Sequence, residues 1–191
     1  MATLDANVWV TLADFKEHLN ETGTDKDDFL TNILNSAYGI AKSYIGHDLK
    51  AADYTEYHNG EGTNDLLLDV WPINTIASIY DDVDRDFGAD TLVDSTDYFF
   101  DAKTGLVTLF QGQAAFSAGL GNIKVTYNAG YSTVPYDAQR GLILLGAWLA
   151  QRAGTEGMSA QTLGGKSEQY ENTNIPLYIR QCFVPYKSFS A

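Results

Sequence analysis

The chain has 191 residues, 25 of them acidic and 12 basic, for a net charge of −13, with one cysteine and 13% aromatic residues. This length predicts one domain with room for a small appended lobe, and a chain of this size buries roughly 70% of its unfolded surface without a disulfide or metal staple. The acidity argues against a nucleic-acid binder, which carries a basic patch, but not against a wall that DNA passes and cannot grip.

The lone Cys182 excludes an internal disulfide. Twelve tyrosines argue against disorder and suit contact surfaces. Met1 leads into polar sequence, so no secretory signal is expected. The longest apolar run in the last long helix, Leu142–Leu145, is far below the ~20 residues of a membrane span.

The first predicted helix covers about Leu12–Leu19, with Thr11 as N-cap and Asp14 at the third position. A second, from about Asp25 to Ile45, starts at a Thr24 cap and carries acids in its first turn. Its apolar stripe is Leu30, Ile33, Leu34, Ala37, Ile40, Ala41, Tyr44 and Ile45, and Gly46 ends it.

The period then changes to two. Tyr54–His58 alternates, Asn59-Gly60-Glu61-Gly62 reads as a hairpin turn, and Leu66–Val70 as the return strand. Ile76, Ile79 and Tyr80 begin another strand, which enters the acidic loop Asp81–Asp90. Tyr98–Phe100 and Leu106–Phe110 form a second hairpin, and Ile123, Val125 and Tyr127 alternate in a last strand. Pro135 and Asp137 open a helix that Gly154 ends. Its residues Leu142 to Leu145 and Ala147 to Ala150 point in every direction, so it is either wrapped by its own chain or shared with a neighbouring subunit. A polar loop at 155–174 is read as flexible, and a short helix, about Pro176–Phe183, follows.

The predicted class is α+β: a bundle of N-terminal and C-terminal helices with an antiparallel β lobe inserted between them. The expected divisions are 1–52, 53–129 and 130–191.

The chemical motifs are weak. The loop Asp82-Val-Asp84-Arg-Asp86 resembles a calcium loop, but Phe87 replaces the required glycine and Val93 the bidentate glutamate, so a solvated hairpin tip is expected. Gly164-Gly165-Lys166-Ser167 resembles the end of a P-loop, yet Ala160 stands where its first glycine belongs. His18, His47 and His58 are too scattered to ligate a metal and read as surface or helix-end residues. Cys182 reads as a buried structural thiol. No catalytic, cofactor-binding or metal residues are assigned, and no enzyme is expected.

Taken in order, the segments resemble a known family. They are Val10-Thr-Leu-Ala-Asp-Phe15, then Ala41-Lys-Ser-Tyr-Ile-Gly46, Tyr57-His-Asn-Gly60 with Leu66-Leu-Leu68, and Trp71-Pro72-Ile73 before Ile79-Tyr80-Asp81. Val125-Thr-Tyr127 with Ala129-Gly-Tyr131, Val134-Pro135, Ser167, Tyr170, Pro176 and Pro185-Tyr186 follow. The chain resembles the head–tail connector (adaptor) proteins of tailed phages, also found in prophages and gene transfer agents. Smaller members are almost wholly helical, and this chain adds a β lobe.

The resemblance implies a virion neck protein without enzymatic activity or cofactor, made in the host cytoplasm. It forms a homo-oligomeric ring, usually dodecameric, beneath the portal protein. The ring extends the DNA channel without sequence-specific binding and docks a head-closure or tail protein, with no membrane involved. On that reading, Leu142, Leu145, Trp148 and Leu149 are expected at the subunit interface. Tyr178, Phe183, Tyr186 and Phe189 are expected to bind a partner. The alternatives are another neck or tail-completion component, or a β-rich ligand-binding module built on Trp71 and the tyrosines.

Overall fold

A computed structural model describes residues 1–112, 114–153, 160–163, 166–169 and 175–188. It is mixed α+β, with helices at both ends of the chain and a β region between them. Two compact units are present: a helical one built from Met1–Gly46 with Val134–Lys187, and a β one, His47–Thr133.

In the helical unit, α1 (Leu12–Leu19) begins with the expected capping box: the Thr11 hydroxyl accepts from the Asp14 amide, and the Asp14 carboxylate accepts from the Thr11 amide. α2 (Asp27–Ile45) starts two residues later than expected. Lys26, not Thr24, is its N-cap and makes no side-chain cap; the Thr24 carbonyl instead accepts from the Asp27 amide in the preceding turn. Gly46 closes the helix at φ 99°, a conformation only glycine adopts freely. Leu30, Leu34, Ala37, Ala41 and Ile45 are buried as the stripe requires, whereas Ile40 is exposed. Trp9 and Tyr38 complete this core, edge-to-face at 5.3 Å, and the Trp9 indole donates to the Ala138 carbonyl.

α3 (Tyr136–Arg152) packs on α2 and is the helix predicted to be apolar all round. Its two glycines explain how its own chain covers it. A Cβ on Gly146 would stand 3.0 Å from the Phe15 ring; one on Gly141 would stand 2.7 Å from the Cys182 Cβ and 2.9 Å from the Phe183 ring. The glycines therefore admit aromatic side chains from both ends of the chain. The last segment, α4 (Leu177–Gln181) and a 3-10 turn (Val184–Tyr186), lies against α3, and the Tyr186 hydroxyl donates to the Asp137 carboxylate.

The β unit departs from the expected hairpin order. β1 (Ala52–Gly60) does not pair with β2 (Asp65–Leu67). It pairs antiparallel with β6 (Gly119–Ala129), whose other edge holds β3 (Ile73–Asp81). β2 instead joins β5 (Leu106–Leu109), which pairs with β4 (Tyr98–Asp101) as the predicted second hairpin. The turn at Gly60 is diverted because the buried Asn122 side chain accepts the Gly60 amide and donates to the Ser117 carbonyl. A Cβ on Gly60 would meet that carbonyl at 1.8 Å. The two sheets share a core of Leu66, Leu68, Ile73, Ile79, Val107, Phe116, Val125 and Tyr127. β7 (Ala160–Leu163) and β8 (Lys166–Gln169) form a short antiparallel pair inside the segment read as a loop. The rest of 155–174 lies outside the described residues.

One partly buried polar cluster ties β1 and β6 to the chain leaving β2. The Tyr127 hydroxyl accepts from the Val70 amide at 3.2 Å and donates to Glu56. Glu56 also accepts from His58 at 2.9 Å and from the Asp69 amide at 3.2 Å. Burial opposes charge on Glu56, but these donors outweigh it and hold its carboxyl below the usual range; burial and the neighbouring Glu56 push the Tyr127 phenol up.

Three outcomes follow for stability. Tyr127→Phe leaves the Val70 amide unpaired and should cost about 1.5–3 kcal/mol in denaturant unfolding. Because the folded pKa of Glu56 lies below its unfolded value, its stabilisation is complete above the unfolded pKa and is lost as pH falls through the folded one. Acid titration of Glu56→Gln should therefore show a shallower loss of stability below about pH 4.5 than the parent. Gly39, in α2 with open space around its Cβ position, and Gly141 should respond oppositely to alanine. Thermal unfolding should show Gly39→Ala stabilising by ~1 kcal/mol through helix propensity and Gly141→Ala destabilising by ~1–3 kcal/mol through overpacking.

Candidate functional site

The acidic loop is a tip, but an ordered one. Its first carboxylate turns inward: Asp82, 7% exposed, accepts from the backbone amides of Asp84 and Phe87. Asp84 and Asp86 point to solvent. Among the described residues no group of three or more His, Cys, Asp or Glu side chains is placed to hold a metal ion. Lys166 and Ser167 lie on β8, after another strand, not at the start of a helix as a P-loop requires.

His18 lies in the last turn of α1 and His47 directly follows the Gly46 cap of α2, helix-end positions as expected; His58, within β1, departs from that expectation. His47 is buried with its ring 5.4 Å from that of Trp71, and His58 is a strand residue held by Glu56. Cys182 is half-buried; burial raises its thiol pKa, and its Sγ donates to the Tyr178 carbonyl. A cavity of about 420 Å³ in the β unit is lined by His58, Glu61, Thr63 and Asp65 among others. There the Thr63 hydroxyl donates to the Asp65 carbonyl and the Thr108 hydroxyl to the Asp65 carboxylate.

What the surface offers is contact area. Of the residues expected at a subunit interface, Leu142 and Leu145 have no accessible surface and belong to the core of the helical unit. Trp148 and Leu149 are half-exposed, with Arg152 stacked 4.9 Å from the Trp148 ring. Of those expected to bind a partner, Phe183 and Tyr186 are buried, and they fasten the C-terminal segment to α3. Tyr178 is 56% exposed, beside Leu177 at 62%. Phe189 lies outside the described residues.

The sheet β2–β5–β4 presents an outer face that the sequence reading did not single out. Asp65 and Leu67 on β2, Leu106 and Thr108 on β5, and Phe99 and Asp101 on β4 lie opposite one another across it. Phe110 extends the face, with its ring 5.7 Å from that of Phe99. Leu67, Phe99 and Phe110 are 48%, 49% and 45% exposed. The signal was present in Leu66-Leu-Leu68 and Tyr98-Phe-Phe100. Such short strands, apolar without alternation, want cover on both faces, and only one face meets the core of the β unit.

No described helix is long and apolar enough to cross a membrane. No curated protein matches the chain. Among solved structures, it is similar to a chain described as "Neck of empty GTA particle computed with C6 symmetry". The TM-score is 0.63 at 16% identity, over 97% of this chain and 93% of that one. A chain from "Neck of native GTA particle computed with C12 symmetry" gives 0.61 at 15% identity, over 97% and 92%. One from "Virion of native gene transfer agent (GTA) particle" gives 0.60 at 16%, over 97% and 92%. At these identities the likeness is one of fold. The family model of the head completion protein matches residues 9–189, nearly the whole chain, and this chain belongs to the head completion protein family.

Proposed function

We propose that this protein is a structural head–tail connector of a tailed-phage-like particle. On this reading it is an adaptor that assembles as a ring of twelve copies under the portal protein, extends the DNA channel and docks the head-closure or tail protein. The family match over residues 9–189 carries the reading. The likeness in fold to chains from particle necks with sixfold and twelvefold symmetry supports the ring.

The charge fits the role. Residues 47–133 hold fourteen of the 25 carboxylates and only four of the 12 cations. A strongly acidic surface repels phosphates, so DNA passes without being held. A structural role also accounts for a surface that offers apolar contact area at Leu67, Phe99, Phe110, Leu177 and Tyr178. Trp148 and Leu149 are the part of α3 available to a neighbouring subunit. The extreme C-terminus, past Lys187, engages the portal.

Sedimentation velocity with and without the portal protein tests the assembly: the expected result is a ring, either free or formed on the portal. A chain that stays monomeric and never binds the portal would contradict the reading. Deletion of Ser188–Ala191 should abolish portal binding while leaving the helical unit folded; unchanged binding would remove the extreme C-terminus from the contact.

A further inference from the structure

The outer face of β2–β5–β4 mixes apolar and acidic side chains. Leu67, Phe99, Leu106 and Phe110 are interleaved with Asp65 and Asp101, and Asp97 stands opposite Phe110, whose amide donates to the Asp97 carbonyl. Apolar centres with charged surroundings are the anatomy of a protein interface. This face cannot dock on its own counterpart in a second copy, because the same carboxylates would meet, and like charges across an interface cost several kcal/mol.

A complementary surface exists on the same chain. The C-terminal segment leaves Leu177, Tyr178 and Val184 exposed. Cations stand beside it. Arg140 precedes Gly141, whose Cβ position abuts Cys182; Asp137, whose carboxylate is taken up by the Tyr186 hydroxyl, lies one turn before it. Lys187 follows Tyr186 and places its ammonium 5.6 Å from the Tyr44 ring. One surface is apolar with acids; the other is apolar with Arg140 and Lys187, its one nearby acid, Asp137, being held by the Tyr186 hydroxyl.

We infer that the occupant of the sheet face is a second copy of this chain: the acid-bordered face of one copy docks on the base-bordered C-terminal segment of the next. Such a contact uses two different surfaces, so it is heterologous and repeats from copy to copy, as a ring requires. The unalternated apolar strands then have cover on both sides. The inference rests on the ring reading above and names the surfaces that build it.

Charge exchange tests it in the full chain, by sedimentation velocity with and without the portal protein. Asp65→Lys with Asp97→Lys should weaken assembly about tenfold or more, and Arg140→Glu with Lys187→Glu should do the same. All four substitutions in one chain should restore assembly, which a merely misfolded variant would not do. If neither pair changes assembly, the inference is overturned and the ring reading stands. If only the sheet-face pair weakens assembly and the combination fails to rescue it, the face meets a different chain, which also overturns it. A parent protein that neither self-associates nor binds the portal would overturn both.

Discussion

The helical unit depends on the close approach that two glycines allow on α3. Gly146 admits the Phe15 ring from the first helix, and Gly141 admits Cys182 and Phe183 from the last. Each glycine costs helix propensity, about 1 kcal/mol, and each is surrounded too closely for a larger residue. The N-terminal and C-terminal segments therefore close on one central helix. Everything between Gly46 and Val134 becomes an insertion that must satisfy its own core and its own hydrogen bonds. The exposed aromatic of the C-terminal segment, Tyr178, is held in place by buried neighbours that were themselves expected to be contact residues.

The β unit meets that demand with a long central strand. β6 pairs on both sides, and its inward residues Ile123, Val125 and Tyr127 carry the core. Tyr127 is the point where hydrophobic packing and polar satisfaction meet: its ring is buried, and its hydroxyl links Glu56 to the Val70 amide. Asn122 does the same at the other end, where it turns the chain at Gly60 away from a hairpin. A buried side chain that satisfies backbone groups redirects a strand because unpaired amides cost more than a broken local turn gains. Fourteen of the 25 carboxylates belong to residues 47–133, which makes this unit the more acidic part of the chain.

Much of the fold was legible in local chemistry. The capping box at Thr11 and Asp14, the glycine stop at Gly46, the β4–β5 hairpin and the helix from Pro135 each rest on interactions within a few residues. The resemblance to head–tail connectors was carried by the order of short segments along the chain, and the family match over 9–189 agrees with it. The candidate contact residues were less legible. Leu142 and Leu145 look like their neighbours on a helical wheel, and only the positions of Phe15, Leu34 and Phe183 decide which side of α3 the chain covers. The outer face of β2–β5–β4 was hidden for the opposite reason. Its apolar runs read as ordinary core until the sheet showed that one side stays open.

The sequence by itself determined the class, the main helices, the strand-forming segments and the acidic character of the chain, because propensity, capping and charge are properties of neighbouring residues. Only the tertiary structure decided strand partners, the inward turn of Asp82, the burial of His47 and the exposure of Leu67, Phe99 and Phe110. Those depend on residues such as Asn122, Tyr127 and Gly141 meeting groups far away in the chain. Their energetic consequences appear only once packing removes water from both partners.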